Sequence, residues 1–228
     1  MKAKQFAEEA IALDPKYAFP YAIMANAHML DLWFGFGKSP QESMKLASEA
    51  AHKALSLDNS DPIIYSALSN LYIMQRQYDQ AIASAERAVE LCPSGARTHF
   101  TLGTAYLFAC RPAEAVRSLE LAIRLNPFPP GRNFSMLGSV YRMLGRDEEA
   151  IAVYKKGLQA EPGDLFTHLG LTVAYFKSGR EEEASKQAAE VMKLHPKFSL
   201  DDFGKIFHLK DQSIADDYLA SLRKAGLK

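Results

Sequence analysis

Three residue types recur along this chain at one shared spacing, and that spacing limits the possible fold more than any other feature. The interval is 34 or 35 residues, and the marker positions are Ala47, Ala81, Ala115, Ala150 and Ala184; Tyr72, Tyr106, Tyr141 and Tyr175; and Pro93, Pro127, Pro162 and Pro196. A fixed period of this length predicts an array of stacked units, each built from one small supersecondary motif.

Within one interval the apolar residues follow a helical period. Residues on one face of the interval that starts at Pro62 are spaced i, i+3, i+4 and i+7, namely Tyr65, Leu68, Ser69 and Tyr72. A second helical stripe starts at Ala81 and ends before Pro93, because proline cannot continue a helix. Each interval therefore predicts two antiparallel helices. Small residues mark where the helices should cross closely: Ser69, Gly103, Gly138, Thr172 and the alanine series.

Several segments resemble the tetratricopeptide repeat. They are LGTAY at 102–106, LNP at 125–127 and LGSVYRMLGRDEEAIAVYKKGL at 137–158. The resemblance implies an all-α fold, a right-handed superhelical solenoid of antiparallel helix pairs with a C-terminal helical cap. It covers nearly the whole chain, so we expect one domain over 1–228.

The repeat register divides that domain into seven parts. They are the second helix of a truncated repeat at 1–17, a repeat at 18–61 with a long inserted turn at 29–40, repeats at 62–95, 96–130, 131–164 and 165–198, and capping helices at 199–228.

The inserted turn contains Gly-Phe-Gly-Lys-Ser at 35–39, which looks like the end of a phosphate-binding loop. Such a loop needs G-x-x-x-x-G-K-[ST], so that backbone N–H groups curl around phosphate. Counting back five residues from Gly37 gives Leu32 instead of glycine, and the stretch follows a predicted helix. We therefore expect an elongated turn in which Ser39 caps the next helix and Pro40 takes its first position.

Three aromatic residues also lie in this insertion: Trp33, Phe34 and Phe36. Two interpretations stay open. The rings fold back onto their own hairpin, or they form an exposed contact for a partner or for a second copy of the chain.

Composition and residue spacing favour no catalytic or metal site. Lys plus Arg and Asp plus Glu both number 27, so no broad basic field would attract nucleic acid. Cys92 and Cys110 lack the spacing of a zinc site, and the six histidines suggest neither a metal site nor a nucleophile set. We expect a non-enzymatic chain with no cofactor and no metal. The few cysteines and the lack of a long apolar run predict a cytoplasmic location without membrane insertion.

In tetratricopeptide-repeat proteins the first helix of each pair lines a concave groove for peptides or helices. The resemblance therefore implies a protein or peptide partner, and self-association is a further form of such binding. The implied groove residues are Asn26, Asn70, Met74, Arg97, Phe100, Thr104, Phe108, Arg132, Ser139, Arg142, Phe166 and Phe176. Asn70 and Thr104 would bond the partner backbone, Phe100 and Phe108 would receive an apolar anchor, and Arg142 would meet an acid.

The two ends of the chain suggest a larger protein. The first helix lacks a preceding partner, and the tail KFSLDDFGKIFHLKDQSIADDYLASLRKAGLK reads as two short capping helices. The tail, RLNPFPP at 124–130 and the aromatic insertion resemble the C-terminal repeat region of bacterial class III adenylate or guanylate cyclases. Such a chain would be the interaction region of a signalling protein, with any catalytic domain upstream. A complete stand-alone scaffold and the repeat region of a transcriptional regulator are the alternatives.

The insertion gives a first testable prediction. Lys38→Ala should leave the melting temperature unchanged, because the motif provides no phosphate for Lys38 to meet. Calorimetric titration with ATP checks the site itself, and measurable affinity in the wild type that Lys38→Ala abolishes would contradict the interpretation.

Overall fold

The computed structural model describes residues 2–34, with the backbone alone at positions 33 and 34, and residues 39–228. Every regular element in these residues is helical. The helices are α1 Lys2–Leu13, α2 Ala18–Phe34, α3 Pro40–Leu57, α4 Pro62–Met74, α5 Tyr78–Leu91, α6 Ala96–Phe108, α7 Pro112–Leu125, α8 Gly131–Met143, α9 Asp147–Ala160, α10 Leu165–Lys177, α11 Glu181–Leu194, α12 Leu200–Ile206 and α13 Gln212–Lys224. The predicted all-α repeat of helix pairs is confirmed.

The helices form two compact units, Met1–Ala105 and Tyr106–Lys228. In the first unit α2 contacts α1, α3 and α4, and α4 also contacts α3 and α5. In the second unit α8 contacts α7, α9 and α10, and α10 also contacts α9, α11 and α13. Each of these first helices is thus buried by its own partner and by neighbouring pairs, as stacking of helical hairpins requires. The division falls within α6, where the repeat pattern predicts no boundary.

One residue with left-handed backbone geometry links the two helices of four successive pairs. These residues are Arg76, Cys110, Gly145 and Gly179, with φ between 57° and 76°. The next N–H in each case donates to the carbonyl of the marker tyrosine at 2.8–2.9 Å. This backward bond satisfies a carbonyl at the helix end, as in a Schellman-type C-cap. The turn therefore repeats with the same period as the tyrosines.

The tyrosine series also has a side-chain role at these turns. Arg146 lies over the Tyr141 ring at 4.4 Å and pairs with Glu149 three residues later. The preceding and following pairs use Arg111 over Tyr106 and Arg180 over Tyr175, both at 4.8 Å. Acidic residues lie in the first turns of α9 and α11, where they are favourable charges at helix starts. Glu149 and Glu183 also pair with the turn arginines of their own helix pairs.

The alanine series marks the closest packing between helices. All five alanines, one on each second helix from α3 to α11, have no exposed surface. The small residues predicted at the matching crossings of the first helices are buried as well. A larger side chain at either set would push the paired backbones apart.

Tyr154 on α9 is the bulkiest side chain found four residues after a marker alanine. It is fully buried and occupies the register held by Ala51, Ala85, Leu119 and Ala188 in the other pairs. Its ring fits because the facing residues are Gly138 on α8 and Gly170 on α10. A Cβ on Gly138 would lie 2.6 Å from Cε1 of Tyr154, and a Cβ on Gly170 would collide with the same ring. The Tyr154 hydroxyl and Ser139 Oγ are 3.0 Å apart.

The first pair departs from the predicted turn at 29–40, because α2 continues through Phe34. Met29 is buried, so the apolar face of α2 extends into the inserted stretch and favours helix there. The predicted cap at Ser39 is confirmed: Glu42 N donates to Ser39 Oγ at 3.1 Å, and Pro40 begins α3. Residues 35–38, and with them Phe36 and Lys38, lie outside the described residues, as do the side chains of Trp33 and Phe34.

The glycine packing generates the second prediction. Gly138→Leu should lower the free energy of unfolding by at least the roughly 1–3 kcal/mol typical of overpacking, because Tyr154 leaves no room for a side chain. Urea denaturation measures the change.

Gly163→Ala serves as the control, since a Cβ there meets nothing within 4 Å. Combining Gly138→Ala with Tyr154→Leu should recover part of the loss caused by Gly138→Ala alone. Equal stabilities for the wild type and Gly138→Leu would contradict this packing.

Candidate interaction surfaces

The sequence-predicted groove residues fall on two surfaces, one in each compact unit. We call Asn26, Asn70, Met74, Arg97, Phe100 and Thr104 the N-terminal surface. We call Phe108, Arg132, Ser139, Arg142, Phe166 and Phe176 the C-terminal surface. Each set occupies the first helices of successive pairs, as the repeat register predicts.

A pair of side-chain amides forms the centre of the N-terminal surface. Asn70 Nδ2 on α4 donates to Asn26 Oδ1 on α2 at 3.2 Å, and Asn26 Nδ2 donates to the Ala22 carbonyl at 3.0 Å. Both side chains are half-buried. Since an amide carries two N–H donors and an accepting oxygen, these bonds leave one N–H on each residue and the Asn70 oxygen for another molecule.

The other members of the N-terminal surface differ in exposure. Arg97 is exposed, while Met74 and Phe100 are half-buried. Thr104 is 9% exposed, and its hydroxyl donates to the Phe100 carbonyl at 2.8 Å. The hydroxyl hydrogen of Thr104 is therefore used within α6, in contrast to the role expected from the sequence. The amides and Arg97 are the groups best placed to meet a partner.

The C-terminal surface is occupied by the tail of the same chain. Helix α13 packs against α10, and Lys177 Nζ at the end of α10 lies 2.6 Å from Asp217 Oδ1 on α13. The segment before α13 reaches the end of α6, where Lys210 N donates to the Phe108 carbonyl at 2.9 Å and Asp211 N approaches Cys110 Sγ at 3.3 Å. The predicted cap on the last repeat thus extends across three first helices.

Aromatic rings join this tail to the surface beneath it. Phe203 on α12 contacts Phe166 on α10, with ring centroids 6.2 Å apart. Phe207 lies 5.1 Å from Phe203 and 5.0 Å from Tyr218 on α13. Phe203 and Tyr218 are both buried. The ring that the sequence offers to a partner at Phe166 is therefore met by rings of the chain itself.

Two expectations for the C-terminal surface need correction. Phe108 is only 8% exposed, so its ring offers no open anchor site. Arg142, expected to meet an acid of a partner, already lies against groups of its own chain: its guanidinium carbon lies 4.6 Å from the Tyr218 centroid, and its charge acts on Asp147. The sequence could not show this, because it does not say where the tail helix packs. Arg132 is exposed, and Ser139 and Phe176 are half-buried.

Polar atoms of Arg142 and of its neighbour Asp147 are incompletely satisfied. Arg142 Nε and Asp147 Oδ1 are buried without a hydrogen-bond partner in the described part of the chain. Burial raises the pKa of Asp147 above its usual 3.8, although the positive charges of Arg142 and Lys177 oppose the shift. Burial also raises the pKa of the Tyr154 hydroxyl beside them. Unpaired buried polar groups cost free energy, so this polar cluster lowers the stability of the packing around Arg142.

Two histidines that the repeat register places on first helices have structural partners. His99 Nε2 donates to the Pro93 carbonyl at 2.7 Å, and His168 Nε2 donates to the Pro162 carbonyl at 2.8 Å. Within residues 2–34 and 39–228 no cluster of three or more potential metal ligands occurs. In the same ranges, no helix combines the length and apolarity needed to cross a bilayer.

Sequence reasoning missed Asp217, Tyr218 and Lys177 as members of one contact, and it missed Tyr154 and Gly170 as a packed pair. The apolar stripe of the tail gave a signal for a packed helix. Only the tertiary contacts show which surface that helix covers.

Comparison with known proteins agrees with the repeat register. Models of the tetratricopeptide repeat match residues 62–94 and 100–164. Anaphase-promoting complex subunit 3 of Schizosaccharomyces pombe is 25% identical in an alignment of 186 positions that covers 77% of this chain and 27% of that protein. The chain therefore spans about a quarter of the length of this relative.

Solved structures share the fold at low sequence identity. The Cut9 and Hcn1 hetero-tetramer of the anaphase-promoting complex contains a similar chain, with TM-score 0.73, 16% identity, and coverage of 91% of this chain and 39% of that one. The tetratricopeptide-repeat protein TTC0263 of Thermus thermophilus has TM-score 0.64 and 21% identity, with coverage of 86% and 99% respectively. Both likenesses concern the fold.

The half-buried carboxyl of Asp147 yields the third prediction. Its pKa is higher in the folded chain than the 3.8 of an exposed carboxyl, so the folded state binds the proton more tightly. The stability that Asp147 contributes is therefore fully present below pH 3.8 and is lost as the pH rises through the folded pKa. Asp147→Asn should gain stability relative to the wild type between pH 4 and pH 7, as measured by urea denaturation.

Glu149→Gln is the matched control with the opposite sign. A hydrogen bond from Arg146 lowers the pKa of Glu149 below 4.5. The stability from Glu149 is present above pH 4.5 and is lost as the pH falls through its folded pKa. A parallel pH dependence for the two variants would contradict the assignment.

Proposed function

We propose that this chain, which carries tetratricopeptide repeats, is a non-catalytic module that binds a peptide or helix of a partner protein on its N-terminal surface. Tetratricopeptide repeats generally mediate interactions between proteins. The matched relatives are consistent with that role, since both the curated relative and the Cut9 and Hcn1 assembly are named as parts of the anaphase-promoting complex.

The Asn26 and Asn70 amide pair is the observation that carries this proposal. Asn26 is oriented by two hydrogen bonds and Asn70 by one; each amide keeps an N–H donor, and Asn70 also keeps its oxygen. A polypeptide backbone offers both donors and acceptors, so two amides held 3.2 Å apart on successive first helices suit it. Arg97 adds an exposed positive charge that favours an acidic residue in the partner.

The contrast between the two surfaces favours the N-terminal one as the accessible site. The C-terminal surface already holds α13, whose Tyr218 is buried against Arg142. On the N-terminal surface Arg97 is exposed and Leu30, on the same helix as Asn26, is 54% exposed. A partner can reach these groups without displacing a helix of the chain.

We further propose that the chain is the C-terminal interaction region of a larger bacterial signalling protein, such as a nucleotide cyclase. The resemblance of the tail and of the inserted aromatic stretch supports this origin. A complete stand-alone scaffold and the repeat region of a transcriptional regulator remain the alternatives. The complete gene sequence and the intact mass of the native product separate the three.

The fourth prediction tests the N-terminal surface. A photo-crosslinking amino acid at position 70 should capture a partner from the native host. Asn26→Ala combined with Arg97→Glu should reduce capture by about tenfold or more, since truncation of central contacts typically costs on the order of 2 kcal/mol. Circular dichroism should show unchanged helix content.

Lys53→Glu matches the charge change of Arg97→Glu on an exposed position of the second helix α3. This control should capture the partner as well as the wild type does. If the two variants capture equal amounts, the N-terminal surface is not the binding site.

A further inference from the structure

The tail of this chain occupies the C-terminal surface as a ligand would. Helix α13 lies on first helices, and it inserts one aromatic residue, Tyr218, beneath the Arg142 guanidinium. The residue before it, Asp217, pairs with Lys177 at 2.6 Å. Side chains of two classes, an acid and an aromatic, thus meet complementary groups on two successive first helices.

A charged group lies under α13 beside apolar ones. Ala215 and Leu222 of α13 have no exposed surface, but Arg142 lies against Tyr218, and its Nε is buried without a hydrogen-bond partner among the described residues. Buried polar atoms are normally satisfied, and satisfaction by water or by a ligand becomes available here when α13 leaves. The closed arrangement therefore carries a cost that an open one does not.

The contacts that hold α13 include weak and exposed ones. The Lys177 and Asp217 pair is largely open to solvent, with side-chain exposures of 35% and 54%, and exposed ion pairs contribute little. The start of α13 is held through Lys210 N and Asp211 N, which use the Phe108 carbonyl and the Cys110 sulfur. The Phe108 carbonyl and the Cys110 sulfur lose these two partners once the tail moves.

We propose that α13 is an internal ligand, and that its release opens the C-terminal surface to an amphipathic helix of a partner protein. The favoured partner helix carries an aromatic residue directly preceded by an acidic one, as Tyr218 and Asp217 do in α13. The aromatic residue would lie against Arg142 and the acid would pair with Lys177. This surface is separate from the N-terminal surface of the proposed function, and each is tested without reference to the other.

Competition within the chain sets the expected affinities. A tethered α13 is present at high effective concentration, so an added helix binds only in proportion to the fraction of open molecules. The wild-type chain should therefore bind a free α13 peptide weakly. Variants that weaken the internal contact should bind the same peptide more tightly, because the peptide itself is unchanged.

The test uses the full chain and a fluorescent peptide with the sequence of residues 209–228. Tyr218→Ala in the chain should tighten binding of this peptide by about tenfold or more, in line with the loss of an aromatic anchor. A peptide that carries Tyr218→Ala should not bind, and Arg142→Ala in the Tyr218→Ala chain should reverse the gain.

A charge reversal provides a second variant if Tyr218→Ala disturbs folding. Asp217→Lys places two positive charges together and should tighten peptide binding about threefold, the scale of an exposed ion pair. Adding Lys177→Glu restores the internal pair and repels Asp217 of the peptide, so affinity should return to the wild-type value. Failure of both variants to bind the peptide more tightly than the wild type overturns the proposal.

Hydrogen exchange on the wild-type chain supplies an independent readout. If α13 opens on its own, its amides should exchange faster than those of Leu169 and Val173 in α10. Exchange of both helices at one rate would make α13 a permanent cap and overturn the proposal.

Sedimentation equilibrium tests whether a second copy of the chain binds the C-terminal surface. A dimer that exchanges α13 between copies would assign the surface to that second copy and overturn the proposal of a separate partner.

Discussion

The close approach of paired helices at the buried alanines is the constraint on which the rest of this structure depends. Each second helix from α3 to α11 carries one of these alanines, and none of the five has exposed surface. At such close crossings a larger side chain fits only where the facing residue is small. Tyr154 follows this rule, since its ring is admitted only because Gly138 and Gly170 face it.

This packing leaves one surface of the first helices without a paired helix in each unit, and the residues on that surface differ between the two units. In the first unit the central residues are amides, and Asn26 and Asn70 bond to each other. In the second unit the corresponding region combines Arg142 with aromatic rings, and the tail helix covers it. Amides remain well solvated in water, whereas burial of aromatic rings stabilises the folded chain. Phe203 and Tyr218 of the tail are buried in this way.

The sequence predicted a large part of the fold and a smaller part of the candidate site. Helix pairs and the cap at Ser39 follow from local patterns, so the sequence alone predicts them. The expectations for Phe108 and Arg142 were wrong because they depend on contacts that are distant in sequence. Their surroundings depend on the tail that ends in α13, which is far from both residues in sequence and follows no repeat register.

The period of 34 or 35 residues by itself determined the all-α repeat, its helix pairs and its close crossings, because these depend on contacts between residues at fixed separations. Only the tertiary structure decided that Tyr218 lies beneath Arg142, that Asp217 pairs with Lys177 and that Tyr154 fills the space above two glycines. The first two contacts join residues that share no repeat spacing, and the third follows the repeat register but depends on a ring that only this pair carries there. Their formation depends on shape and burial in three dimensions, where an aromatic ring takes whichever cleft removes it from water.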